Sequence, residues 1–459
     1  MVLRESQQDT IAAIATANGE GGIGIVRLSG PDAIPIADKI FKAQSGLPVA
    51  EQKSFTAQYG RVADLDEAIL LVMRSPKSYT TEDVVEIQAH GGRVVLHEIL
   101  ALAIHHGARL AAPGEFTKRA FLNGRMDLLQ AEAVIDLIQA KTEKSRRWAS
   151  AQLEGFFSRK MAGMKAALLE ILSILEASID FPEDDLAPSD YSDLEKKLAL
   201  IQSELQDLLK GSEVGLLAKR GVRAALWGRP NTGKSSLMNC LAKNNRVIVT
   251  PFAGTTRDVV EEEIQIQGFP VRLLDTAGIQ NTEHPIEREG VLRSRQAALT
   301  ADIILFVLDA SASLHPQDKA LFEEIQGKPK IILLNKSDLP KKLKDPEWAA
   351  PRPDLVVLET SCQTGRGIRD VEKQILTWAS QGRTELSDES VLSSVRQKDI
   401  LEKMAQALEQ ATDACRSHLS AELVAVDLRL ALDRLGELVG EIVTDELLDV
   451  LFSKFCIGK

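Results

Sequence analysis

Apolar positions along the chain fall into three regimes. Between Thr10 and about Gly124, short β-type runs alternate with helical ones. "TIAAIAT" and "IGIVRLSG" flank the loop "ANGEGG", and "EAILLVMRSP" and "DVVEIQAH" read as further strands. "RVVLHEILALAIHHGA" carries helical spacing and is predicted to close at Gly107. "APGEFTKRAFLNGR" predicts a turn into a helix, with Pro113 suited to the helix start.

From about Met126 to Leu217 the pattern is helical, with Leu, Ala and Ile three and four residues apart in "DLLQAEAVIDLIQAKTEKSRRWASAQLEG", "AALLEILSILEASIDF" and "SDLEKKLALIQSELQDLLK". An acidic loop with two prolines, "PEDDLAPSD", separates the last two. From Gly221 to about Ser380 strands and helices alternate, which predicts a parallel α/β sheet. After the polar linker "ASQGRTELSDES", helical spacing returns in "ILEKMAQALEQATDACRSHL" and "AELVAVDLRLALDRLGELVG". The expectation is a multidomain α/β and α protein: an N-terminal α/β domain over 1–124, a helical domain over 125–218 and 381–459, and an α/β unit over 219–380 inserted into it.

At 459 residues the chain exceeds what one core usually serves. A net charge of −11 argues against the whole chain acting as an electrostatic glove for nucleic acid, so any RNA contact needs a local patch or a partner. The basic runs "KTEKSRR" (Lys141–Arg147) and "RQKD" read either as such patches or as solvated helix faces. Cys240, Cys362, Cys415 and Cys456 lie far apart, with no C-x-x-C spacing, and are expected to be reduced thiols rather than disulfides or zinc ligands. The adjacent His105 and His106 form no H-E-x-x-H, so no structural metal site is expected. No 18-residue apolar run and no signal-peptide core occur, which predicts a cytoplasmic protein without membrane contact.

Chemistry concentrates in the inserted unit. "GRPNTGKSS" (Gly228–Ser236) follows the strand-like "VRAALW" and fits the phosphate-binding pattern G-x-x-x-x-G-K-[ST]. Its glycines let the backbone wrap phosphates, Lys234 reaches the β- and γ-phosphates, and Ser235 ligates Mg²⁺. Asn231, Thr232, Gly233 and Ser236 complete the loop. "DTAG" follows the strand "VRLL": Asp275 is placed to hold the Mg²⁺ shell, and Thr276, Ala277 and Gly278 lie beside the terminal phosphate. "NKSD" follows "KIILL", contributing Asn335, Lys336 and Asp338. The Asp338 carboxylate accepts from two guanine donors that adenine lacks, so it selects GTP. Ser361 and Cys362 of "TSC" suit the loop beside the base. Three motifs in this order predict a Ras-like, doubly wound P-loop G domain that binds GTP. In "VTPFAGTTRDVVEE", Thr250, Thr255 and Thr256 lie near the nucleotide, and Thr256 fits the residue that completes Mg²⁺ coordination. After "DTAG" stands Ile279, where many G domains carry a Gln that orients the attacking water. The loop "NGEGGIG" (Asn18–Gly24) leads into a strand rather than a helix, so it is not a dinucleotide site.

"GGIGIVRLSGP", "SYTTEDVVEIQAHGG", "PGEFTKRAFLNGRMDLLQAEAV", the inserted G domain and the closing "FCIGK" resemble the MnmE (TrmE) family of tRNA-modification GTPases over essentially the whole chain. The resemblance implies a homodimer built on N-terminal domains that also bind folate, and G domains that approach one another when GTP and K⁺ bind. It implies action with an FAD- and NADH-dependent partner protein, as a heterotetramer or larger. The reaction would add an aminomethyl or carboxymethylaminomethyl group at C5 of the wobble uridine of certain tRNAs. The one-carbon unit would come from 5-formyl- or 5,10-methylene-tetrahydrofolate.

The pattern around Asn231 and "AGTTRD" is similar to translation-linked GTPases without the Gln, some of them potassium-activated. By that likeness Asn231 and carbonyls of the loop including Thr250, Phe252 and Thr255 cage K⁺; Asn231 also reads simply as a turn residue. Glu287 in "EHPIERE" aligns with the acid that positions the water and, with Lys234, would be catalytic; it also reads as an exposed charge opening a helix after Pro285. Arg27, Glu86, Arg125 and Lys459 match the folate-binding positions, or else form surface salt bridges; Arg125 stands where other members carry Lys. Cys456 reads as a nucleophile or one-carbon carrier, as a wall of the folate pocket, or as packing. Two rival readings stay open: a ribosome-assembly switch GTPase, which should add a basic RNA-binding module or a second G domain, and a one-carbon transferase regulated by its G domain.

Overall fold

The computed structural model describes residues 9–17, 19–180, 191–247, 261–275, 295–344, 348, 355–380, 392 and 394–459. The chain divides into two compact units, one of residues 1–135, 153–163 and 432–459, the other of residues 136–152 and 164–431.

The first unit is built on strands β1 (Ile11–Ile14), β2 (Gly21–Ser29), β3 (Phe41–Ala43), β4 (Thr56–Val62), β5 (Asp66–Met73), β6 (Val84–Gly91) and β7 (Arg109–Leu110), in the order β3-β4-β5-β6-β2-β1-β7. All neighbours are antiparallel except β1 and β7. One face is closed by α1 (Ala33–Ile40) and α2 (Arg93–His105) over Val26, Leu28, Leu70, Val85 and Ile87. Because side chains alternate along a strand, Arg27 and Glu86 point to the other face. Helix α3 (Glu115–Leu122) is capped by Gly114 at φ +67. Pro113 therefore stands before the cap, not at the first helical position as expected. A Cβ on Gly114 would lie 2.7 Å from the Phe452 carbonyl, so glycine takes the cap and displaces the proline outward.

The remaining helices are α4 (Leu128–Gln139), α5 (Glu143–Leu153), α6 (Phe156–Asp180), α7 (Tyr191–Arg220), α8 (Lys234–Asn244), α9 (Pro316–Glu324), α10 (Ile368–Ala379), α11 (Val395–Arg416), α12 (Ala421–Val439) and α13 (Asp445–Phe452). In the second unit α7 and α11 run antiparallel, with Glu213 paired to Lys398 (3.0 Å) at one end and Glu195 to Arg416 (2.7 Å) at the other. Its sheet contains β8 (Val222–Trp227), β9 (Arg246–Val247), β10 (Glu261–Ile266), β11 (Phe269–Asp275), β12 (Ile303–Asp309), β13 (Lys330–Asn335) and β14 (Val356–Glu359), ordered β14-β13-β12-β8-β11-β10-β9. The five strands from β14 to β11 are parallel, and β10 runs against β11 and β9. Leu226, Leu305 and Val307 enter one core and Trp227, Phe306 and Leu308 the other. Burial on both faces is why these strands read as unbroken apolar runs. No helix among the described residues is long and apolar enough to cross a membrane.

Candidate functional site

Strand β8 ends at Trp227, and the loop Gly228–Gly233 turns the chain into α8 at the carboxyl edge of the parallel strands, where such sheets hold ligands. A Cβ on Gly228 (φ +149) would overlap the Val307 carbonyl, and one on Gly233 (φ +96) the Asn335 amide, so both positions demand glycine. Lys234 is buried, and its Nζ donates to the carbonyls of Gly228 (3.0 Å) and Arg229 (2.8 Å). Burial pushes its pKa down to about 8, against the pull of the Asp275 charge. Thr232 Oγ1 also donates to the Arg229 carbonyl (3.0 Å). Ser235 Oγ donates to Asp275 Oδ2 (2.8 Å), while the buried Oδ1 of Asp275 has no hydrogen-bond partner among the described residues. Asn231, at φ +62, and Ser236 are exposed.

The other side of the site is assembled from β13 and the turn after β14. Asn335 is buried, and its Nδ2 donates to the Thr232 carbonyl (2.8 Å), fastening the phosphate loop to β13. Lys336 Nζ donates to the Asn231 carbonyl (2.9 Å) and pairs with Asp309 (2.6 Å). Ser361 Oγ donates to Asp338 Oδ1 (2.6 Å), holding an exposed carboxylate in place. Cys362 lies against Asn335 Oδ1 (3.5 Å), and burial, with the neighbouring Cys240 thiol, pushes its pKa up to about 12. It is a wall, not a nucleophile.

The structure thus brings together Asn231, Thr232, Gly233, Lys234, Ser235, Ser236, Asp275, Asn335, Lys336, Asp338, Ser361 and Cys362 around one strand edge. Thr250, Phe252, Thr255, Thr256, Thr276, Ala277, Gly278, Ile279 and Glu287 lie outside the described residues. Sequence reasoning missed Arg229, whose Nε donates to the fully buried Asp318 (2.6 Å). Asp318 also accepts from the His315 backbone N–H (3.0 Å) in the capping box of α9. The signal was available in "HPQD", where Pro316 opens the helix two residues before the acid.

In the first unit Arg27 on β2 stands opposite Glu86 on β6 and pairs with it at 2.8 Å. Its Nη1 also donates to the Gly458 carbonyl (3.2 Å). The guanidinium lies 5.6 Å from the Phe116 ring centre and 5.9 Å from that of Tyr79. Arg125 stacks on the same Tyr79 at 4.9 Å and donates to the Ser78 carbonyl (2.9 Å). Lys459 follows Gly458, and its backbone N–H donates to the Cys456 carbonyl (3.3 Å); Cys456 is exposed. Arg27, Glu86 and Arg125 therefore share an aromatic cluster that the sequence did not announce, because Tyr79 and Phe116 lie on separate segments whose meeting only the fold brings about.

A glycine loop between a parallel strand and a helix, a Ser–Asp pair at the next strand end and an Asn-Lys-Ser-Asp turn beyond it place the protein in the class of P-loop GTPases. Residues 10–125 match the family described as GTP-binding protein TrmE N-terminus, and residues 128–456 match the MnmE helical domain. The tRNA modification GTPase MnmE of Thermoanaerobacter pseudethanolicus is 43% identical over 98% of this chain and 99% of its own length. That of Bacillus subtilis is 44% identical over 98% of this chain and all of its own length. The chain belongs to the MnmE (TrmE) family of tRNA modification GTPases. Among solved structures, the G domain of the T. maritima FeoB iron transporter is 28% identical over 34% of this chain and 98% of its own, at a TM-score of 0.27.

Proposed function

We propose that this chain hydrolyses GTP in the cytoplasm as part of tRNA modification. The observation that supports the reading is the hydrogen-bonded frame at the strand edge: Asn335 and Lys336 hold the phosphate loop, and Ser361 donates to Asp338, the carboxylate that would read the guanine. Lys234 exchanges its two backbone carbonyls for the β- and γ-phosphates. Mg²⁺ fits the hard oxygen set of Ser235 and Asp275, whose second carboxylate oxygen lacks a partner among the described residues, and Thr256 completes the set. Asn231 is fixed through its carbonyl, and its exposed side chain makes no hydrogen bond to a described residue, which suits a K⁺ ligand beside Thr250, Phe252 and Thr255. When bound, K⁺ would offset charge developing on the phosphates. Glu287 takes the part that Ile279 cannot play and orients water.

In the first unit the pair Arg27–Glu86, with Arg125, Lys459 and the Tyr79 ring, offers a cation, a carboxylate and an aromatic face to a tetrahydrofolate. That cofactor supplies the one-carbon unit, and Cys456 shapes the pocket. Residues 1–124 would form the dimer, 219–380 the G domain, and 125–218 with 381–459 the helical connection. An FAD- and NADH-dependent partner would share the tRNA and complete the group added at C5 of the wobble uridine. GTP turnover measured in KCl and in NaCl at equal ionic strength tests the core of this. Wild type should be fast only in K⁺, and Glu287→Ala should lose turnover while keeping GTP affinity. Equal rates in both salts would remove the cation, and a joint loss of affinity would make Glu287 structural.

A further inference from the structure

β10 and β11 form a hairpin registered from Glu261↔Leu274 to Ile266↔Phe269, turning through Gln267 (φ 45) and Gly268 (φ 88). Its tip meets the helical segment that precedes the G domain in sequence. Lys141 pairs with Glu263 at 2.6 Å. Lys144 sits 4.8 Å from the Phe269 ring centre and 5.2 Å from that of Trp148, and the two rings meet edge to face at 6.3 Å. A Cβ on Gly268 would lie 3.1 Å from the Lys144 Cβ, so the turn and the helix are in close contact. Phe269 and Trp148 close a small apolar cluster with Val214 and Ala218 of α7, which touches one of the two large cores of the sheet through Leu376.

Two routes lead into this cluster from the paired strands β8 and β11, which end side by side at the phosphate loop. β11 runs unbroken from Phe269 to Asp275, whose carboxylate accepts the Ser235 hydroxyl, a span of roughly 20 Å. Helix α7 ends at Arg220 and passes through Gly221 directly into β8, which delivers the phosphate loop. Trp148 of α5 therefore lies between a side chain borne by β11 and side chains tied covalently to β8. Any slip of β11 against β8 changes its surroundings. Helix α5 meets the hairpin through the side chains of Lys144 and Trp148, and α4 before it begins three residues after Arg125.

We infer that Lys141, Lys144 and Trp148, seated along the β10–β11 hairpin from Glu263 to its Gly268 turn, form a joint that passes the state of the nucleotide site to helix α5. The joint is a route separate from the covalent junctions of the insertion. It rests on the reading of that site as a guanine-nucleotide site.

Amide hydrogen exchange of the full chain, loaded with GDP or with a non-hydrolysable GTP analogue in Mg²⁺ and K⁺, tests it. In wild type, exchange across Glu143–Leu153 should differ at least about threefold between the two nucleotides. Lys144→Ala and Lys141→Met should each erase that difference while GTP turnover stays within about twofold of wild type. Lys144→Arg, which keeps a cation over the ring, should preserve it. No difference in wild type, or a difference that survives both variants, overturns the joint. A chain that binds neither guanine nucleotide overturns the underlying site reading, and the joint with it, and the loading step reveals that before exchange begins.

Discussion

Below about pH 8 Lys234 carries its proton, and above it the buried amine of the nucleotide-free protein gives the proton up. Phosphate favours the ammonium, so the bound pKa lies higher than the free one, and binding takes up a proton once the pH passes the free value. Nucleotide affinity should therefore be level near neutrality and fall as pH rises through about 8, approaching tenfold per pH unit. Calorimetry of GDP binding in buffers of different ionisation enthalpy should show proton uptake rising from near zero at about pH 7 to most of one proton at about pH 8.5. Flat uptake would mean that the ammonium is charged throughout. The residues of this loop were legible in the sequence because their constraints are local. Gly228 and Gly233 are required by their own positive φ, and Lys234 by the charge it meets. Tyr79, Phe116 and Asp318 were not legible, since each acts through a partner far away in sequence. Asp318 and Arg229 are 89 residues apart.

At the scale of elements, the strands most easily read were β8, β11 and β13, whose two buried faces leave nearly continuous apolar runs. β3, β7 and β9, of three, two and two residues, are too short to show a period. Helix α1 escaped notice because Pro35 interrupts "AIPIADKI", yet a proline in the first turn costs no intrahelical bond. Helix α9 does more than cover the sheet. Through Asp318 it anchors Arg229, whose carbonyl receives both Lys234 and Thr232. Asp318→Ala removes the cap acid and strands a partly buried guanidinium, and should cost about 3 kcal/mol of stability in chemical denaturation. It should also weaken nucleotide binding, because the grip on the Arg229 peptide loosens. Unchanged affinity in a folded Asp318→Ala protein would restrict α9 to a structural part.

For the molecule as a whole, the first unit is completed by residues from the end of the sequence. Gly458 at φ +93 packs so closely that a Cβ would overlap the Ile14 carbonyl and lie 2.8 Å from the Ala15 Cα. Gly458→Ala should therefore lift this segment away from β1 and take a carbonyl from Arg27. Thermal unfolding should show a loss of roughly 2 kcal/mol, and tetrahydrofolate binding should weaken if the Arg27 cluster is its site. Unaltered binding in a folded Gly458→Ala protein would place the folate elsewhere.

The same interleaving sets a timetable for birth on the ribosome. The strands of the first unit emerge early, but the segment 432–459 that finishes it emerges only after all of the second unit. At translation speeds of roughly 5–20 residues per second, the intervening stretch of about 300 residues holds the early sheet incomplete for some 15–60 s. A nascent chain stalled after α11 should therefore present a finished G domain and an unfinished partner unit, with the Phe452 and Phe455 positions unfilled against α3. Whatever chaperones attend this protein during synthesis should find their exposed apolar surface near the amino terminus, long after that part of the chain has left the tunnel.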